Sequence, residues 1–174
     1  MEDFGRVHAL IIATKAAPAA ADSLGQGGAS SSSSAVLYER YYDRFSELDK
    51  AEIRAAFYQA AEASGASGAA DGQDACGAFR GACFVLLPVN DLVLFGLGSG
   101  EYDEMALSGL LRVLALAIGD AAGKPASSAL FLAKGGAGVA RAALAIDEVV
   151  NEGLVDAVDR DAVRKGAKGK APWE

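Results

Sequence analysis

Three glycines in the run LVLFGLGSGEYDE, at positions 96, 98 and 100, have the spacing that most invites chemistry. A glycine-rich turn between a strand and a helix exposes backbone amides, and such turns cradle phosphates in nucleotide sites. A dinucleotide site, however, needs GxGxxG, a parallel sheet and an acidic residue about 20 positions further on for the ribose. This chain has GxGxG, and it runs directly into Glu101, Asp103 and Glu104. Carboxylates suit the start of a helix, where they occupy the electrostatic place of a phosphate and would repel one. The turn reads as structural, and no cofactor is expected.

Other candidates fail on supporting groups. Cys76, Cys83 and the single His8 fall short of the roughly four ligands zinc requires, so they read as reduced thiols and a strand side chain. Ser30 to Ser34 form a linker with no base beside them. Asp147 and Glu148 are adjacent, and neighbouring helical side chains diverge by about 100°, which rules against a shared acid/base site. No catalytic, cofactor-binding or metal residue is assigned, and the chain reads as a non-enzyme. A net charge of −7 excludes a global field for nucleic acid. The acidic start and short first apolar run predict neither a signal peptide nor a membrane span, hence a soluble intracellular protein.

The elements that must position these residues come in pairs. Residues 6–14 and 36–42 read as strands joined by a flexible Ser/Ala/Gly insertion at 15–35. Residues 46–64 read as a helix capped by Ser46 with Asp49 in support, and with Leu48, Ile53, Phe57, Ala60 and Ala61 on its apolar face. Two strands follow at 78–90 and 91–99 around an Asn90–Asp91 turn, with a further strand possible in 73–82. Residues 101–123 read as a second helix with Met105, Leu107, Leu110, Leu111, Leu114 and Ile118 facing the core. Residues 127–138 fit a short strand or a packed loop. Residues 139–156 fit a helix or helix-turn pair ending at Gly153, and 161–174 a basic, frayed tail. The order β-β-α-β-β-β-α-α predicts one α+β domain over 1–160, an antiparallel sheet packed between helices.

Five segments in order, VHALIIAT, LYERYYD, AEIRAAFYQA, DLVLFGLGSGEYDEMALSGLLRVL and LAIDEVVNEGLV, resemble the small subunits of vesicle coats, the coatomer zeta and clathrin-adaptor sigma family. The resemblance implies a longin-type fold with a five-stranded antiparallel sheet. It also implies a non-catalytic subunit that binds a large, and in some coats a medium, adaptor subunit. Such a subunit is cytoplasmic and peripheral on Golgi membranes, transport vesicles or plasma-membrane coats. Coatomer, the plant endocytic TPLATE complex in clathrin-mediated endocytosis, and another longin-type tethering complex remain open. Tyr38, Tyr41, Tyr42, Leu110 and Val149 are the expected partner-interface residues.

Overall fold

The computed structural model describes residues 5–15, 34–65 and 71–169. Most of the expected 15–35 insertion, Ser30 to Ser33, and the tail from residue 170 onward lie outside them. Five strands, β1 (Val7–Thr14), β2 (Val36–Tyr41), β3 (Ala75–Phe79), β4 (Ala82–Val89) and β5 (Leu92–Gly98), form one antiparallel sheet in the order β2-β1-β5-β4-β3. Helix α1 (Glu47–Ala63) covers one face. The other face carries α2 (Glu104–Ala122), α3 (Ser128–Leu132), α4 (Ala137–Val149) and α5 (Arg160–Gly169). The architecture is α+β, as expected, and is compatible with a longin-type domain.

The central strand explains the glycine run. β5 pairs antiparallel with both β1 and β4, and all seven of its residues are buried. Leu92 and Leu94 face the α2 layer, whereas Val93, Phe95 and Leu97 face α1. A Cβ on Gly96 would lie 3.3 Å from Leu111 Cδ2, and one on Gly98 would lie 2.9 Å from Tyr102 Cβ. The missing side chains let α2 lie close against the strand, so Gly96 and Gly98 serve packing. Gly100 adopts φ 63° in the turn.

Helix α1 starts as its sequence dictates. Ser46 Oγ accepts from the Asp49 amide at 3.1 Å, and the Asp49 carboxylate accepts from the Ser46 amide at 3.1 Å, which closes a capping box. Ile53, Phe57 and Ala61 dock on the sheet, and Phe57 meets Phe95 edge-on at 5.8 Å between ring centres. Leu48 does not join this face; it is 69% exposed, in the first turn beside the cap.

Arg54 on α1 donates two hydrogen bonds to Glu39 on β2, at 2.7 and 2.8 Å. These bonds hold the Glu39 carboxyl below the usual glutamate range. A depressed folded pKa contributes stability that is complete above the unfolded value and is lost as the pH falls through the folded one. Glu39→Gln is therefore expected to cost about 0.5–1 kcal/mol at neutral pH, given the partial exposure of the pair. The deficit should vanish as acid titrates the wild type, and urea titrations across that range measure it.

Several boundaries depart from the sequence reading. The expected strand 78–90 is broken by a two-residue turn at Arg80–Gly81, where both residues take positive φ, so Ala75–Phe79 and Ala82–Val89 form a hairpin. Residues 128–132 form a helix rather than a strand or loop, because the Asp91 carboxylate accepts from the Ser128 amide at 3.0 Å and caps it from a distant turn. Helix α4 ends at Val149, and Val150–Asn151 and Leu154–Val155 form a small hairpin, β6-β7, through Glu152 and Gly153 at positive φ. Residues 161–169 of the expected frayed tail belong to helix α5, with Val163 and Ala167 buried where it packs on α2 and α4. By length and composition α2 is apolar enough to cross a membrane, as a buried core helix also can be. Its Leu107, Leu111, Leu114 and Ile118 side is packed into the core.

Candidate functional site

A serine, a histidine and an aspartate that the sequence keeps far apart converge at one end of the sheet. His8 projects from β1, Asp43 follows β2 and Ser99 follows β5. His8 Nδ1 meets Asp43 Oδ2 in a short contact, and His8 Nε2 lies 2.8 Å from Ser99 Oγ. With Nδ1–H donating to the carboxylate, Nε2 accepts from the Ser99 hydroxyl. This is the polarity of a nucleophile, base and orienting acid.

The neighbourhood works against acyl chemistry. An acyl-enzyme mechanism needs amide donors aimed at a developing oxyanion. The Ser99 amide donates to the Arg6 carbonyl at 3.1 Å, and the Tyr102 amide donates back to the Ser99 carbonyl at 3.2 Å. Gly5 packs so tightly over the turn that a Cβ there would lie 2.2 Å from the Glu101 amide nitrogen. Arg6 takes the second Asp43 oxygen at 3.1 Å, and Glu101, Asp103 and Glu104 follow in the chain. The cluster can clamp the ends of three strands, and His8 is a strand side chain with partners. Ser99 is accordingly expected to react with a fluorophosphonate probe no faster than free serine, with no change in His8→Ala. Intact-mass kinetics check this, and stoichiometric labelling that depends on His8 would reverse the assignment.

The thiols are separate from this cluster. Cys76 is exposed on β3, and Cys83 on β4 approaches the Tyr102 carbonyl at 3.0 Å. Burial pushes the Cys83 thiol up, which disfavours its thiolate. Among the described residues, no three His, Cys, Asp or Glu side chains converge where they could hold a metal ion.

The five interface candidates divide. Leu110 and Val149 are 5% and 0% exposed and belong to the core between α2 and α4. They do not form a surface, because the helical periodicity that singled them out marks the inward face. Tyr38 and Tyr42 are half-buried against the α2-side core, and Tyr41 against the α1 side. Burial raises all three phenols, Tyr41 to about 12.

The surface that sequence reasoning missed lies on α2. Met105 is 84% exposed and Leu116 55%, both on the side turned from the sheet. Gly109 lies between them with open space where a Cβ would be. Leu116 continues into Val113 of α2 and Val158, which is 61% exposed, and these line a shallow apolar depression. Met105 was expected on the core face. It lies two positions before Leu107, about 200° around the helix, and so points outward. Arg112, which reaches Asp74 at 3.5 Å, lies on the same outer stripe between Gly109 and Leu116.

No protein-family model matches the chain, and no curated sequence is significantly similar to it. The geometry and the order of its segments carry the functional reading.

Proposed function

We propose that this protein is a non-catalytic small subunit of a heteromeric vesicle coat or adaptor complex, of the coatomer zeta-like kind. On this reading the outer face of α2 is covered by a large coat subunit. Met105 and Leu116, two large apolar side chains exposed on either side of Arg112 along the outer stripe of an otherwise core-packed helix, carry the proposal. The α+β sheet between helices supports it, being the architecture that the resemblance implies. Obligate subunit interfaces are large and apolar, which suits such a face. Association with Golgi membranes, vesicles or the plasma membrane then runs through the partner.

A small subunit of a TPLATE-type endocytic complex, or of another longin-type tethering complex, has the same module and differs in its partner. Affinity purification of the tagged chain from its native cell, followed by mass spectrometry, separates these readings. Near-stoichiometric coatomer subunits support the zeta-like role, and a different large and medium subunit pair supports the endocytic one. Recovery of the chain without a coat subunit would overturn the proposal.

A further inference from the structure

Helix α5 carries Arg160, Arg164 and Lys168 at successive i, i+4 positions, so three cations stack along one face. Like charges at this spacing destabilise a helix unless something neutralises them. Asp120 at the end of α2 does so for Arg160, whose Nη2 donates at 2.6 Å and whose Nε makes a second short contact. That pairing holds the Asp120 carboxyl below its ordinary range. Arg164 meets only Asp161, at 3.2 Å on the open surface, where such a pair contributes little. Lys168 has no hydrogen bond or ion pair to any described residue, and neither does Arg141 on α4.

Arg141 and Lys168, together with the weakly paired Arg164, border one cavity of about 270 Å³ between the end of α2, α4 and α5. Its floor is apolar, formed by Ala117, Leu144, Val163 and Ala167. Arg141, Arg160, Arg164 and Lys168 stand against one lining carboxylate, Asp120, which Arg160 already occupies. Arg141 and Lys168, with Arg164 held only by its surface pair to Asp161, line a concave space of small-molecule size in a chain whose net charge is −7.

We propose that this cavity binds a compact phosphate-bearing polyanion of the inositol-phosphate type, held by Arg141, Arg164 and Lys168. Guanidinium forks match phosphate oxygens bidentately, and the lysine adds a point charge. A single carboxylate would leave two of the three cations unmatched. Among the described residues lining the cavity none is aromatic, so no ring is present to stack on a nucleobase. The three helices border a compact, half-open space, which suits a ring with several phosphates better than an extended peptide. The same chemistry is offered by a soluble inositol phosphate and by a phosphoinositide headgroup.

The test uses the full chain. Calorimetric titration with inositol trisphosphate is expected to show one site, weaker at higher salt, together with a rise in melting temperature. Arg141→Gln is expected to weaken binding at least about tenfold, and Arg141→Gln with Lys168→Gln to abolish it. All these positions are exposed, so the unliganded melting temperature should not move; Lys168→Gln alone gives a second measure should the double variant unfold. Co-sedimentation with phosphatidylinositol bisphosphate vesicles that the soluble headgroup competes away identifies the lipid as the source. Binding of the soluble compound alone identifies a free inositol phosphate. The proposal is overturned by an absence of heat and of thermal shift, by equal affinity in the double variant, or by equal sedimentation on phosphatidylserine vesicles of matched charge.

Discussion

A chain carrying Met105→Glu and Leu116→Glu is expected to fold normally and lose its large partner. Both side chains are mostly in solvent, at 84% and 55% exposure, so the folded monomer gives up little apolar burial. Surface changes of this kind stay within about 0.5 kcal/mol, which moves a melting temperature by only a degree or two. In the complex the same carboxylates would enter a largely apolar interface, where the nearby cations Arg112 and Arg160 are already paired with Asp74 and Asp120. Uncompensated charge burial costs several kcal/mol, about a hundredfold or more in affinity. Side-by-side purification of wild type and variant should show recovery of the partner falling to background at equal bait. Full recovery would place the partner on another face.

Phe57→Ala is the substitution expected to damage the fold most. Phe57 is 0% exposed, lies over Phe95, and is the largest side chain fixing α1 to the sheet. Truncating a buried phenylalanine removes its transfer energy and leaves a cavity, together about 3–5 kcal/mol. Domains of this size have about 5–15 kcal/mol in total, so the variant keeps a fraction of its stability. Urea denaturation should show the unfolding free energy falling by that amount, while Leu48→Ala, about two and a half turns earlier and exposed, changes it hardly at all. A loss below about 1 kcal/mol for Phe57→Ala would mean that α1 is not docked as described.

Local chemistry was legible in the sequence. Ser46 and Asp49 declare the start of α1 because a cap acts over three residues, and Gly123 ends α2 in the left-handed conformation that favours glycine. Asn90–Asp91 declares a hairpin for the same reason. What depends on distant partners was hidden. Helix α3 forms against Asp91, which precedes it by 37 residues, and nothing near Ser128 announces that contact. The basic stretch after residue 160 reads as solvated tail because its charges dominate its composition. Only Val163 and Ala167, four apart, reveal a buried stripe. The meeting of His8 with Asp43 and Ser99 spans 35 and 91 residues, and a lone histidine between apolar neighbours gives no sign of it. Leu110 and Val149 proved buried for a related reason: periodicity finds the inward face of a helix, whereas Met105 and Leu116 lie outside that face.

The sheet order has a consequence for synthesis. Strand β5 inserts between β1 and β4, pairing Ile11 with Phe95, so the first hairpin to leave the ribosome keeps one side open until residues 92–98 follow. During that interval the inner edge of β1, with Leu10, Ile11 and Ile12, is a bare template for any neighbouring strand. Pairings this distant in sequence also close slowly. The nascent chain therefore passes through a half-sheet vulnerable to aggregation, and its yield in the cell depends on what shields β1 before β5 arrives.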